Sequence, residues 1–203
     1  MEAAIERSSA RELPGDKAAR IVEAMRASVG QRGIAGSTFD HVARAAGVSR
    51  GLLHYYFGTK ERLLVEVVRR ECEVRGQLLE AAVAGAASAD DVLDALVRSF
   101  EDFLGEGPSG FVMFYELLLL AQRNAEIAVE LAELGRRLRL QLGGALEAKR
   151  DAGALELRAD PEEVAAFLFM LADGVAIRRL SEPQLEIAAL IDRAVLAARP
   201  LLG

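Results

Sequence analysis

Four residues between Arg50 and Tyr55 carry the chemistry that this chain offers most plainly. Arg50, Gly51, His54 and Tyr55 fall on one side of a single helical stretch, with Leu52 beside them. A guanidinium, an imidazole and a phenol around a bare glycine can grip phosphate and read a flat hydrogen-bonding edge, because a planar guanidinium pairs in two places with such an edge. Other chemistries lack their parts. His41 and His54 are the only histidines and Cys72 is the only cysteine, and together they make no metal-ligand spacing. There is no glycine-rich phosphate loop and no convergent His/Cys/Asp set from which to build a catalytic centre. No cofactor and no metal is expected.

The elements that must position those groups are legible around them. The stretch STFDHVARAAGVSRGLLHYYFGTK, from Ser37 to Lys60, reads as two short helices joined by a tight turn. A hydroxyl at Ser37 or Thr38 caps the first helix by accepting from a backbone N–H that has no partner within it. Val42 and Ala43 face inward, and Ala43 is small enough for a second helix to cross closely. Gly47 stands where the chain reverses, since only glycine takes positive φ without a Cβ clash. Val48 plugs the turn, Ser49 caps the second helix, and Leu53 and Phe57, four apart, form its inner stripe. This is the layout of a helix-turn-helix that enters a major groove.

The same residues resemble the DNA-binding domain of the TetR family of transcriptional regulators. The run Thr38, Val42-Ala43, Ala46-Gly47-Val48-Ser49, Gly51, Tyr55-Tyr56-Phe57 and Lys60 follows the family signature. The resemblance implies phosphate contacts from Thr38, Tyr55 and Lys60, two of which stand at helix N-termini, where free N–H groups favour anions. His54 stands where many members have tyrosine, which makes a contact there weaker or pH-dependent. Further on, FYELLLLAQR and ADGVAIRRL resemble the regulatory half of the choline-repressor-like branch of that family. The implied function is a sequence-specific, ligand-released repressor that binds a palindromic double-stranded operator as a homodimer in the cytoplasm. The rival readings are a helical enzyme and a helical adaptor that does not bind DNA.

Composition agrees with an all-α chain: 203 residues, 52% hydrophobic and 5% aromatic, without tryptophan. The apolar runs reach about ten residues, too short to cross a bilayer. Glu2, Glu6 and Arg7 interrupt the N-terminus, which does not read as a signal peptide. A lone cysteine forms no intrachain disulfide and suits a reducing compartment. The net charge of −6 is unevenly spread. Residues 1–70 carry 12 Lys and Arg against 8 Asp and Glu, and residues 71–203 carry 13 against 23. Phosphate neutralisation requires positive charge only locally.

About nine helices are expected: an N-terminal three-helix bundle with the helix-turn-helix, and a larger helical domain for ligand binding and dimerisation. A loose arm at 1–14 precedes a DNA-binding domain at 15–60 and a regulatory domain at 61–203. The first helix starts at Asp16 and stops at Gly33. Thr59 caps a fourth helix whose stripe runs from Leu63 through Val74 and Leu78 to about residue 86. Ser88 and Asp91 make a capping box. Gly105, Gly107, Pro108 and Gly110 break the chain. Phe111–Gln122, apolar nearly all round, should be buried. A long amphipathic helix spans Ala125–Arg150. Asp160-Pro161 opens a helix to Leu180, and Ser181-Glu-Pro183 opens the last, which ends before Pro200.

Two further sites follow from the apolar surplus. Phe100, Phe103, Phe111, Met113, Phe114, Leu117, Phe167 and Met170 are the expected lining of a cavity for a largely apolar effector, with Glu116 as a polar anchor or an internal ion-pair partner. Asp173 is equally open between the two roles. Leu171, Gly174, Val175, Arg178, Leu185, Ala188, Ile191 and Val195 are the expected dimer interface, because helices apolar over most of their circumference need two partners. Cys72 reads as a small packing residue.

Overall fold

The computed structural model describes residues 14–105 and 110–203. Apart from Pro14, the expected arm at 1–14 lies outside the described residues, and so do Gly107 and Pro108. The described residues form nine helices: α1 (Pro14–Gly36), α2 (Phe39–Ala46), α3 (Arg50–Phe57), α4 (Lys60–Gly85), α5 (Ala89–Gly105), α6 (Phe111–Ala121), α7 (Ala125–Asp151), α8 (Pro161–Ser181) and α9 (Ile187–Leu202).

The helix starts follow local chemistry. Thr38, Ser49, Thr59 and Asn124 each accept from the backbone N–H three residues on, and Asp160 from that of Glu162, before Pro161 at the first turn. Ser88 Oγ accepts from Asp91 N, while the Asp91 carboxylate accepts from Ala87 N and Ser88 Oγ. Those bonds hold the Asp91 carboxyl below the usual carboxylate range, led by the one from Ala87. Gly47 ends α2 at φ 66°, and Gly33 breaks α1 at φ 68°, ψ 172°. Of the two hydroxyls offered as caps for α2, Thr38 takes the role; Ser37 is fully buried and donates to Gly33 O instead, at 2.8 Å.

Two hydrophobic cores hold the helices. The first joins α1, α2, α3 and the front of α4 to Met113, Leu117, Ile127, Leu131 and Leu134. The helix-turn-helix therefore shares one continuous core with α6 and the front of α7. The second core joins the end of α4, α5, the end of α7, α8 and α9. α4 and α7 run side by side in the same direction, tied by the ion pairs Arg62–Glu126 and Arg69–Glu130. They approach so closely that a Cβ at Gly76 would overlap the Gln141 amide.

Several expectations need correction. Val74 and Leu78 do not continue the buried stripe of α4; they are 47% and 65% exposed, because α7 packs on the face that carries Gly76. α6 is not buried all round, since Leu119 and Glu116 point outward. Ser181-Glu-Pro183 does not open the last helix. Ser181 ends α8, Leu185 N closes a turn on Glu182 O at 2.9 Å, and α9 begins at Ile187. Pro200 lies inside α9 rather than beyond it. Its missing N–H falls near the end of the helix, and the final carbonyls, of Leu201 and Leu202, accept from Arg158 N and Glu156 N at 3.1 Å each.

Candidate nucleic-acid interface and effector cavity

The outer face of α3 carries Arg50, Gly51, His54 and Tyr55, all exposed. Leu53 is fully buried beneath it, so the residues around it are turned out. Tyr55 is 81% exposed, with its ring edge-on to Tyr56 at 5.4 Å. The Arg50 guanidinium reaches across the turn to Asp40 near the start of α2, with both carboxylate oxygens 3.3 Å from Nη1. Gly51 is exposed, and a Cβ built there would meet only Ser49 Oγ, at 3.9 Å. Nothing inside the chain requires glycine at this place. A bare backbone there suits the close approach of an external surface.

His54 and Lys60 are engaged within the chain. His54 Nδ1 donates to Gly58 O at 3.0 Å, and its ring lies edge-on to Phe39 at 4.9 Å, which leaves Nε2 for an outside partner. The Lys60 ammonium donates to Ile34 O at 2.6 Å and closes the end of α1. Expected as a phosphate ligand, Lys60 is in this structure a half-buried strut between α1 and α4. Ile34 O also accepts from Ser37 N at 3.2 Å, and the bond from the charged donor is the stronger of the two.

Between the two cores lies a cavity of about 790 Å³, walled by α4, α5, α7, α8 and α9 with Phe114 of α6. Phe100, Phe103, Phe114 and Met170 line it as expected. Phe111, Met113, Leu117, Glu116 and Phe167 do not. Phe111 is buried with its edge to Phe103 at 6.1 Å, and Met113 and Leu117 belong to the first core. Glu116 is exposed on the outer face of α6. The lining that sequence reasoning missed comes from elements read only as core or interface: Cys72, Leu79, Leu96, Leu142 and Phe169 among it. Desolvation pushes the Cys72 thiol up to about 11, so it acts there as a small apolar wall.

The residues assigned to a dimer interface divide. Leu171, Gly174, Val175, Ile191 and Val195 line the cavity, and Val175 and Ile191 are buried within the chain. Arg178 pairs with Glu182 at 2.6 Å, Leu185 sits in the turn before α9, and Ala188 is exposed. The large apolar side chains left exposed on these helices are Met170, Ile177, Leu180 and Leu196. Asp173 also lines the cavity and accepts from Tyr115 Oη at 3.0 Å. Partial burial of its carboxyl raises its pKa, and burial beside that carboxyl raises the phenol of Tyr115 in turn.

This geometry has counterparts. Residues 21–67 match the family model described as bacterial regulatory proteins, tetR family, and residues 87–200 match the one described as tetracyclin repressor-like, C-terminal domain. The chain belongs to the TetR family. Similar relatives include the HTH-type transcriptional regulator BetI of Rhizobium meliloti, 34% identical over 78% of this chain and 75% of that one. BetI of Brucella canis is 29% identical over 82% of this chain and 93% of its own. Among solved structures, a TetR-family regulator from Mesorhizobium loti superposes with a TM-score of 0.77 at 18% identity, covering 94% of this chain and 97% of that one. FadR from Bacillus subtilis, solved in complex with stearoyl-CoA, superposes with a TM-score of 0.69 at 19% identity, covering 91% and 99%. At such identities the structures share the fold. The TetR-family assignment makes this chain a helix-turn-helix transcriptional regulator whose head is the α2–α3 pair. No helix among its described residues is long and apolar enough to cross a membrane.

Proposed function

We propose that the chain is a homodimeric repressor that binds a palindromic operator through α3 and leaves it when an apolar effector enters the cavity. The observation that carries the first half is the α3 face: Arg50, Tyr55 and a glycine with no internal role, all turned outward over the buried Leu53. Thr38, Ser49, Leu52 and His54 Nε2 flank it. Functionally the chain divides near Lys60 into the reading head at 15–60 and the regulatory part at 61–203. A regulator of this kind works in the cytoplasm, where its operator is. No catalytic role is assigned to any residue.

The cavity supports the second half of the reading. It lies against α4, which runs unbroken from Lys60 at the head to Gly85 beside the second core. A ligand there releases DNA only if it prefers the arrangement of α4 that DNA does not. The coupling required is about 1–3 kcal/mol and is reciprocal, so operator DNA weakens effector binding by the same factor.

The head is tested by selection from random duplex DNA. The expected product is a palindrome with half-site centres about 34–36 Å apart or somewhat more. Arg50→Ala should relax one position per half-site by about 1–3 kcal/mol of discrimination. Gly51→Ala should do the opposite to stability and binding: it gains up to about 1 kcal/mol of helix propensity while weakening every site, because its methyl stands where DNA must approach. A selection that yields no enriched palindrome rules out the repressor reading, and unweakened binding by Gly51→Ala removes that face from the contact.

A further inference from the structure

The charged groups of the effector cavity are lopsided. Among the described residues its lining holds three guanidiniums, Arg75, Arg136 and Arg139, against the single carboxyl of Asp173. The three cations are engaged to different degrees. Arg136 Nε and Nη2 donate to Glu133 at 2.8 and 2.9 Å. Arg75 stacks its guanidinium over Phe103, 4.9 Å from the ring centre, and faces Glu71 at 4.0 Å. Arg139 meets Glu162 at 4.0 Å, an ion-pair distance too long for a hydrogen bond. A guanidinium in a cavity wall with its donors directed to no acceptor at bonding distance is set to receive one from a ligand. Asp173, in contrast, already accepts from the phenol of Tyr115.

The space at Gly135, one turn from Arg139, is open and most of the lining is apolar. Gly135 lies one turn before Arg139 in α7, lines the cavity, and would meet nothing within 4 Å if it carried a Cβ. The lining also holds Phe100, Phe103 and Leu96 of α5 and Phe169 of α8. We infer that the effector is an amphiphile with one anionic head group, a carboxylate or a phosphate, held by Arg139, and an apolar body laid along the α5 and α8 walls. This rests on the reading of the cavity as the effector site and adds the charge of the ligand to it.

Three probes of equal chain length separate the possibilities: dodecanoate, dodecyltrimethylammonium and dodecanol, each titrated calorimetrically into the full chain. Dodecanoate should bind at least about tenfold more tightly than the other two, a margin of about 1.4 kcal/mol. Arg139→Gln should erase the margin while leaving dodecanol unchanged; the side chain is 40% exposed and makes no hydrogen bond to lose, so its thermal midpoint without ligand should stay put. Gly135→Leu, whose Cβ would meet nothing within 4 Å, should fill part of the space and weaken all three. Equal affinity, a preference for the ammonium, absence of binding, or dodecanoate binding that survives Gly135→Leu each overturns the inference. The repressor reading is judged separately, by whether the chain holds a palindrome selected from random DNA, and stands or falls apart from these outcomes. A phosphate head is distinguished from a carboxylate by repeating the titration with dodecyl phosphate, where tighter binding assigns the head and equal binding leaves Arg139 reading charge alone; either result keeps the anion.

Discussion

Replacing Leu180 and Leu196 together by glutamate should leave this protein monomeric and cut operator affinity by about a hundredfold or more. Both side chains are exposed on the single chain, at 42% and 57%, so the change costs the protomer less than one at a buried position. A dimer joined through the exposed apolar side chains of α8 and α9 would bury both, four new carboxylates per assembly would then be desolvated without partners, and burying an unpaired charge costs several kcal/mol even after relaxation. The operator loss follows from symmetry. A dimer engages two half-sites at once, and a monomer retains the contacts of one, losing a large part of the 10³–10⁷-fold margin that specific sites hold over nonspecific ones. Sedimentation at micromolar concentration reads the first effect and operator titration the second. A double variant that still sediments as a dimer places the interface elsewhere. Val175 and Ile191 would be poor choices for this test, because they are buried in the protomer and their loss would damage the fold first.

Leu53→Ala should destabilise the head by about 2–5 kcal/mol, the range for emptying a fully buried leucine site. Leu53 is 0% exposed and meets a core shared by α1, α2 and the front of α4. Because that core also contains Leu117, Ile127 and Leu131, the loss should appear in the unfolding of the whole first core rather than of α3 alone. Urea unfolding followed by circular dichroism measures it. A shift of the midpoint worth less than about 1 kcal/mol would mean that neighbouring side chains close the hole, and that Leu53 does not hold α3 in place.

The head was readable because its determinants are local. A capping hydroxyl acts over three residues, and a glycine at positive φ acts on itself. Thr38, Ser49 and Thr59 therefore sit where the sequence puts them, and Gly47 turns the chain as expected. Even there, the partners that lie far along the chain escaped. Nothing near Lys60 announces that Ile34 O, 26 residues away, takes its ammonium, and nothing near Arg50 announces Asp40.

The regulatory part shows the opposite balance. Its helices are visible as apolar runs, and their order and approximate lengths follow from caps and breakers. What periodicity leaves open is which side of an all-round apolar helix faces its own core, a cavity or another molecule. Leu117 and Phe100 look alike in sequence; packing sends one into the first core and leaves the other on the cavity wall. Val175 and Leu180 share a helix, yet one is buried inside and the other is turned out. Pro200 marks a stop by every local rule, but the carbonyls of the last turn find Glu156 and Arg158 and the helix continues through it. Local chemistry determined where most of the helices begin, where the reading head lies and that the secondary structure of the described residues is helical. Tertiary structure decided what each apolar face touches, because burial depends on how helices cross, and the crossing of α4, α7 and α8 around one cavity is a property of their joint packing rather than of any one of them.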